Sequence, residues 1–128
     1  MESTEIIRVL VVDDHTIVRE GIESLLDAFP DLKLVGEAEN GRTAVELCAS
    51  LQPDVVLMDL ILPGMGGIEA IKKIKQTNSQ VQVLALTSFS GRNLVKDALA
   101  AGAIGYLLKN VPASELAQAI RSAYRAQP

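Results

Sequence analysis

Tryptophan is absent from the sequence, and the other aromatic residues amount to two tyrosines and two phenylalanines. The core must therefore be built mainly from aliphatic side chains. The single cysteine, Cys48, excludes an intrachain disulfide and fits a reducing compartment. It lies among apolar residues at helical spacing, so we expect a buried thiol.

No apolar run approaches the roughly 20 residues of a membrane span, and no basic-then-apolar leader opens the chain. We therefore expect a cytoplasmic protein that does not enter a membrane.

Basic residues are in the minority, with 12 lysines and arginines against 16 acidic residues and a formal net charge of -4. Binding of nucleic acid needs a positively charged face, so residues 1–128 are not expected to contact DNA directly. The densest basic run, Lys72, Lys73 and Lys75, is interpreted as the solvated face of a helix. A chain of 128 residues without internal repeats has the length of one domain.

Short apolar runs alternate with amphipathic segments along the chain. The apolar runs predict five strands, at 6–12, 32–35, 55–58, 81–86 and 104–108, each followed by a helix. Because the strands are continuously apolar, both faces of the sheet should be buried, which is typical of a parallel sheet. The sequence thus predicts an α/β fold with a doubly wound, five-stranded parallel sheet flanked by five helices. Sites in such folds lie at the carboxyl ends of the strands, where the strand order reverses.

Local signals place several element boundaries and one loop. Asn40 and Gly41 are predicted to open the second helix, Gly102 to end the fourth and Pro112 to begin the last. The glycine-rich loop at 62–67 is expected to use backbone angles that side chains forbid.

Polar residues follow four of the predicted strands. They are Asp13 and Asp14 after the first strand, Asp59 after the third, Thr87 and Ser88 after the fourth, and Lys109 after the fifth. Taken singly, each has an ordinary explanation as a helix cap, a turn residue or a solvated lysine. Because carboxyl ends of parallel strands meet at one edge, the set taken together predicts a common site.

The chemistry of this set indicates phosphoryl transfer. Three neighbouring carboxylates repel one another unless a cation lies between them, and oxygen ligands suit Mg²⁺ or Mn²⁺. A carboxylate nucleophile, a divalent cation, a lysine and a hydroxyl together can neutralise and orient a phosphoryl group. His15, beside the first two carboxylates, could be a metal ligand, but a place on the rim at the start of the first helix is favoured.

Five segments of the chain form a pattern that is specific in combination. They are VLVVDD at 9–14, PDVVLMD at 53–59, LPGMGG at 62–67, LTS at 86–88 and GAIGYLLK at 102–109. Together they resemble the receiver domains of bacterial response regulators, which are CheY-like. DDH at 13–15, VREG at 18–21, GEA at 36–38 and GYLLK at 105–109 further resemble the NarL/FixJ (LuxR-type) branch, whose members usually carry a C-terminal helix-turn-helix. The resemblance implies the flavodoxin-like strand order 2-1-3-4-5.

The resemblance also implies a reaction. Asp59 would take a phosphoryl group from a phosphohistidine of a sensor histidine kinase, with Thr87 and Lys109 binding phosphoryl oxygens. Movement of Thr87 would let Tyr106 change rotamer and alter the surface around helix four, strand five and helix five, with homodimer formation as one outcome. The domain would be a phosphoacceptor switch that catalyses its own phosphorylation and dephosphorylation, and not an enzyme acting on a separate substrate.

Further roles implied by the resemblance concern the metal and the phosphoryl lifetime. Asp13, Asp14 and Asp59, with the backbone carbonyl of Ile61, would hold Mg²⁺. Three residues would modulate the lifetime of the phosphoryl group, namely Ile61, Ser88 and Phe89. We expect the bulky Ile61 and Phe89 to hinder water, and the small Ser88 to leave room for the phosphoryl donor.

Two features depart from the receiver pattern. Many receivers have a proline with a cis bond after the lysine, whereas Asn110 follows Lys109 here, which leaves the local geometry open. The last predicted helix is followed closely by Pro128, so residues 1–128 are expected to be a receiver domain without an effector domain. They are either part of a longer protein or a stand-alone receiver.

Three other functions fit parts of this pattern. A haloacid-dehalogenase-type hydrolase needs an acid two residues after its nucleophile, where this chain has Ile61. A dinucleotide-binding domain needs a glycine-rich turn after the first strand, where this chain has Asp13, Asp14, His15 and Thr16. A protein-binding pseudo-receiver that works without phosphorylation is the main alternative, and self-phosphorylation from a small donor would discriminate it.

Overall fold

Five strands and five α-helices alternate along the chain, as the sequence predicts. The computed structural model describes residues 5–126, apart from the side chains at 89, 90 and 92. The elements are β1 Ile7–Val12, α1 Thr16–Asp27, β2 Leu32–Ala38, α2 Gly41–Leu51, β3 Val55–Asp59, α3 Gly67–Thr77, β4 Gln82–Thr87, α4 Val95–Ala101, β5 Gly105–Leu108 and α5 Ala113–Arg125. One short 3-10 turn, at Phe89–Leu94, joins β4 to α4 and was not predicted.

The strands form one parallel sheet in the order β2-β1-β3-β4-β5. This confirms the predicted fold class and strand order. The chain moves from β1 outward to β2, and then returns to place β3 on the other side of β1. The strand order therefore reverses between β1 and β3, which is where ligand sites form in open α/β sheets.

Alternate side chains of the inner strands enter two separate cores. In β1, Leu10 and Val12 face α2, α3 and α4, whereas Val9 and Val11 face α1 and α5. β3 and β4 alternate in the same way, and nearly all of these side chains are fully buried. Burial on both faces explains why the strands are continuously apolar in the sequence. Cys48 lies in the first core, where burial raises the pKa of its thiol to about 12.

The predicted boundary signals act as expected at three positions. The Asn40 side chain accepts a hydrogen bond from the backbone N–H of Thr43 at 2.9 Å and caps α2. Gly102 follows α4 with a φ of 123°, a conformation that favours glycine. Pro112 is the N-cap of α5. β2 was predicted too short, since it continues past Val35 to Ala38 alongside β1.

The prediction that Lys75 lies on a solvated helix face is wrong. Lys72 and Lys73 are exposed, but the Lys75 stem bends over the end of α3. Its Nζ donates to the carbonyls of Ser79 at 2.8 Å and Val81 at 2.7 Å, and burial lowers its pKa. Lys75 therefore ties the α3–β4 connection together.

Within residues 5–126, no helix has the length and apolar character needed to cross a membrane.

Candidate functional site

The predicted polar residues meet at the carboxyl edge of the sheet. Asp13 follows β1 directly, and its N–H donates to the carbonyl of Ala38 at 3.0 Å. Asp59 and Thr87 are the last residues of β3 and β4, and both side chains are buried. The N–H of Lys109, just after β5, donates to the carbonyl of Thr87 at 3.0 Å. Backbone pairing of the sheet thus fixes the position of each side chain.

Lys109 links the two most buried carboxylates. Its Nζ lies 2.8 Å from Oδ2 of Asp13 and 3.1 Å from Oδ2 of Asp59. The other carboxylate oxygens accept from backbone N–H groups. Asp13 Oδ1 accepts from the N–H of His15 at 2.8 Å, and Asp59 Oδ1 accepts from the N–H of Ile61 at 3.2 Å. One ammonium therefore serves two buried carboxylates, with the Asp14 carboxylate beside them.

The two paired carboxylates differ in their protonation behaviour. Burial would raise the pKa of Asp13, but hydrogen bonds from Lys109 and the His15 N–H hold that pKa below its ordinary value. For Asp59 burial prevails, and the neighbouring Asp13 charge adds to it, so the pKa of Asp59 is raised despite Lys109. The pKa of Lys109 is raised, because its contacts with both carboxylates outweigh burial. Lys109 is therefore firmly cationic in this site.

Four side chains have the chemistry and spacing to hold a metal ion. Ligand atoms of Asp13, Asp14, His15 and Asp59 all lie within 4.8 Å of one another. Oδ1 of Asp14 is buried and accepts no hydrogen bond from residues 5–126, although His15 Nδ1 lies 3.3 Å away. A buried carboxylate oxygen without a donor fits a cation. His15 is the N-cap residue of α1 with a largely exposed side chain, in keeping with its predicted place on the rim.

Arg19 holds the backbone of Asp13 in place, and this role was not predicted from the sequence. Its guanidinium donates to the backbone carbonyl of Asp13 at 2.6 Å and to Oε1 of Glu37 at 3.1 Å. α1 and the end of β2 are thereby joined to the loop that carries the site. The signal in the sequence was an arginine on the helix just after two aspartates, but such a residue is usually solvated.

The glycine-rich loop after β3 is explained by close packing more than by unusual backbone angles. Only Gly64 in this loop has a positive φ, of 67°. Gly67 lies against the backbone carbonyl of Asp59, and an added Cβ there would also come within 2.7 Å of the Cα of Leu60. An added Cβ on Gly66 would meet nothing within 4 Å. The loop therefore needs Gly64 for conformation and Gly67 for space.

The remaining predicted residues surround this cluster. The Thr87 hydroxyl donates to the carbonyl of Ser88 at 3.0 Å. Ile61 is 54% exposed and Tyr106 is 51% exposed, so both side chains extend toward solvent. The Phe89 side chain lies outside the described part of the structure. No cis peptide occurs in residues 5–126, so the Lys109–Asn110 bond is trans.

Comparison with known proteins agrees with this geometry. The family model for the response regulator receiver domain matches residues 9–121. The chain is 47% identical over 122 residues to the transcriptional regulatory protein LiaR of Bacillus subtilis, covering 95% of this chain and 58% of that protein. It is 44% identical over 121 residues to the response regulator UvrY of Escherichia coli, covering 94% and 56% respectively.

A solved structure extends the similarity to three dimensions. The signal receiver domain of the response regulator NarL from Mycobacterium tuberculosis superposes with a TM-score of 0.90 at 33% identity. The match covers 96% of this chain and 99% of that domain. The chain spans a little over half the length of the curated relatives it matches. It belongs to the response regulator receiver domain family, with relatives of the NarL and LuxR type.

Proposed function

We propose that Asp59 accepts a phosphoryl group from the phosphohistidine of a sensor histidine kinase. The observation that carries this proposal is the buried Asp59 carboxylate beside Lys109 Nζ and two further carboxylates at the switch point of the sheet. An oxygen of Asp59 attacks phosphorus, and the phosphorus–nitrogen bond to the kinase histidine breaks. The electron pair leaves on the imidazole nitrogen, which then takes a proton. In the separate step of dephosphorylation, water attacks the phosphorus of the aspartyl phosphate, the phosphorus–oxygen bond to Asp59 breaks, and inorganic phosphate leaves.

Lys109 and Thr87 are proposed to bind oxygens of the transferring group. Lys109 Nζ already lies within 3.1 Å of Asp59 Oδ2, so little movement separates it from a phosphoryl oxygen bonded there. The Thr87 hydroxyl is a second donor at the end of the neighbouring strand. Such transfer depends mostly on positioning and on neutralising charge, which fixed donors at a sheet edge supply.

Asp13, Asp14 and Asp59 are proposed to hold Mg²⁺ or Mn²⁺, together with the backbone carbonyl of Ile61. When bound, the metal supplies positive charge that neutralises the phosphoryl oxygens. The spacing of the carboxylate oxygens and the unpartnered Oδ1 of Asp14 support this assignment. Arg19 keeps Asp13 in place through its backbone carbonyl, so the ligand set is held before any ion arrives.

Phosphorylation is proposed to act through Thr87 and Tyr106. A phosphoryl oxygen would draw the Thr87 hydroxyl from the Ser88 carbonyl, and the half-exposed Tyr106 ring would turn inward. Leu99 in α4 and Ile104 just before β5 are also exposed, and the surface around α4, β5 and α5 would then be altered. This is a shift between two packings that a local charge favours. Homodimer formation, either through the face of α4, β5 and α5 or through α1 and α5, is one proposed outcome.

Transcription is the proposed output, through a helix-turn-helix domain outside residues 1–128. The relatives LiaR and UvrY are named as regulators, and each is longer than the matched region. The acidic balance of these residues supports an indirect route, in which the receiver controls a separate DNA-binding part.

Ile61 is proposed to slow hydrolysis by hindering water at the phosphoryl group. Its side chain stands at the site, 54% exposed, directly beyond the Asp59–Leu60 segment. In Ile61→Asn we expect dephosphorylation to accelerate roughly tenfold, because a polar side chain can orient water. Decay of the phosphorylated protein followed by intact mass measures this. An unchanged decay rate would remove Ile61 from the mechanism.

The deciding experiment is intact mass spectrometry after incubation with acetyl phosphate and Mg²⁺. We expect one phosphoryl adduct, which EDTA prevents and which Asp59→Ala lacks. Asp31→Ala removes a carboxylate at the opposite end of the sheet and should keep the adduct. An adduct that survives in Asp59→Ala would contradict the assignment. A folded wild type that forms no adduct would instead favour the protein-binding pseudo-receiver.

A further inference from the structure

Gly91 leaves a space that the Thr87 hydroxyl occupies. Gly91 is buried in the 3-10 turn after β4, and a Cβ added to it would lie 2.5 Å from Thr87 Oγ1 and 3.6 Å from Ile61 Cδ1. Positive φ values among the described glycines are confined to Gly64 and Gly102, so the Gly91 backbone can be adopted by any residue. Space, and not conformation, therefore accounts for glycine at this position.

The hydroxyl in that space is bonded to a backbone carbonyl. Thr87 Oγ1 and the N–H of Gly91 donate to the same acceptor, the carbonyl of Ser88, each at 3.0 Å. The Thr87 backbone is fixed by the sheet, since its carbonyl accepts from the Lys109 N–H at 3.0 Å. Only rotation about χ1 can move the hydroxyl, and χ1 has a few staggered positions. Thr87 therefore has discrete states, and Gly91 permits the one observed.

We propose that Gly91 is a positioning residue that sets the resting rotamer of Thr87. This rests on the proposed function, because the rotamer matters for phosphorylation only if the Thr87 hydroxyl serves the phosphoryl group. A methyl group at 91 cannot coexist with the observed rotamer. The least costly relief is the χ1 rotation that turns Hβ into this space, because Oγ1 and Cγ2 then move together and the backbone of the turn stays in place. Gly91→Ala would then release the hydroxyl from the Ser88 carbonyl before any phosphoryl donor arrives.

A double-mutant cycle tests this with acetyl phosphate as the donor. We expect Gly91→Ala to raise the initial rate of adduct formation about fivefold, the factor corresponding to one hydrogen bond that no longer has to be broken. In the Thr87→Ala background the same change should have no effect, because the atom that the methyl displaces is absent. Gly21→Ala, on an exposed part of α1 with nothing within 4 Å of the added methyl, is the matched control and should leave the rate unchanged.

Two outcomes of the rate measurement would overturn the proposal. One is an unchanged or reduced rate in Gly91→Ala. The other is the same rate change in both the wild-type and the Thr87→Ala backgrounds, since a general disturbance of the turn would act without the hydroxyl. If Gly91→Ala folds poorly, the free energy of unfolding in urea is measured in place of the rate. Adding Thr87→Ala should then restore the stability that Gly91→Ala loses. A double variant that is no more stable would contradict the steric contact between the methyl group at 91 and the Thr87 hydroxyl.

A rotamer measurement separates this proposal from the proposed function. Three-bond couplings from the Thr87 methyl carbon report χ1 by NMR without any phosphoryl group. We expect the couplings of Gly91→Ala to differ from those of the wild type, and identical couplings would refute the role of Gly91. If the wild type forms no adduct while the couplings change, the proposed function fails and the steric control by Gly91 stands.

Discussion

The two ends of the sheet treat their acidic residues differently. At the amino end, Asp31 receives two hydrogen bonds from Arg121, at 2.8 and 3.0 Å, and the guanidinium also lies 5.3 Å from the centre of the Phe29 ring. At the carboxyl end, Asp13 and Asp59 share one lysine, and the Asp14 carboxylate lies beside them. Asp31 thus has a cation to itself, whereas at the carboxyl end a single ammonium serves two carboxylates.

The amino end also shows how a structural carboxylate is satisfied. Asp54, just before β3, accepts from the backbone N–H of Arg8 at 2.9 Å, and the Arg8 guanidinium donates to the carbonyl of Gln52 at 2.9 Å. These interactions join neighbouring strands and are partly exposed. The number of acidic residues therefore says little about function. What distinguishes the carboxyl end is buried negative charge in excess of the positive charge available to it.

Removing the cation at each end of the sheet should give the largest difference in unfolding free energy between the two ends. Lys109→Met leaves Asp13 and Asp59 buried together without a counter-charge, so we expect a loss of about 3 kcal/mol in unfolding free energy. Arg121→Met breaks a more exposed pair and should cost about 1 kcal/mol or less. Urea unfolding followed by circular dichroism in EDTA measures both, since the chain has no tryptophan. Equal losses in unfolding free energy would contradict the view that the carboxyl end has buried negative charge in excess of its positive charge.

Neutralising one acid at each end should give changes of opposite sign. Asp59→Asn removes one of three clustered charges, and we expect stabilisation on the order of 1 kcal/mol in EDTA. Asp31→Asn weakens a satisfied pair and should destabilise by under about 1 kcal/mol, because both partners are partly exposed. The same unfolding assay applies. A destabilised Asp59→Asn would show that the Lys109 contact outweighs the repulsion.

The smallest effect concerns pH at the amino end. Hydrogen bonds from Arg121 lower the pKa of Asp31 below its ordinary value of 3.8. A lowered carboxyl pKa contributes stability above the unfolded value, and this contribution is lost as the pH falls through the folded value. The advantage of wild type over Asp31→Asn, below about 1 kcal/mol for so exposed a pair, should shrink as the pH falls from 7 toward and below 3.8. An advantage that grows on acidification would contradict the assigned direction.

The fold and the site membership were predictable for a shared reason. Hydrophobic periodicity gives the strands, and a parallel sheet brings their carboxyl ends to one edge, so Asp13, Asp59, Thr87 and Lys109 were expected at that edge. Neither inference needs knowledge of a side-chain rotamer. The strand order itself came from resemblance to a family, since periodicity alone does not rank the possible orders.

Features that depend on individual side-chain contacts or on short irregular segments were not predictable. Lys75 and Arg19 have helical neighbours that suggest solvent exposure, yet each ends on backbone carbonyls that only the folded chain brings near. The turn at Phe89–Leu94 was missed because its pattern is too short to show a period. The space that Gly91 leaves for the Thr87 hydroxyl was also not predictable, because residue types do not encode that a Cβ added at 91 would lie 2.5 Å from Thr87 Oγ1.

The reacting cluster is assembled from residues far apart along the chain. Asp13 comes at the start of the first crossover, whereas Lys109 follows the last strand, at the edge of the sheet. A chain under synthesis therefore has Asp59 before it has Lys109. Until β5 has emerged and paired, Asp59 lacks its ammonium partner. Under the proposed function, unfinished chains would take no phosphoryl group, and the signal would be carried only by molecules whose sheet is complete.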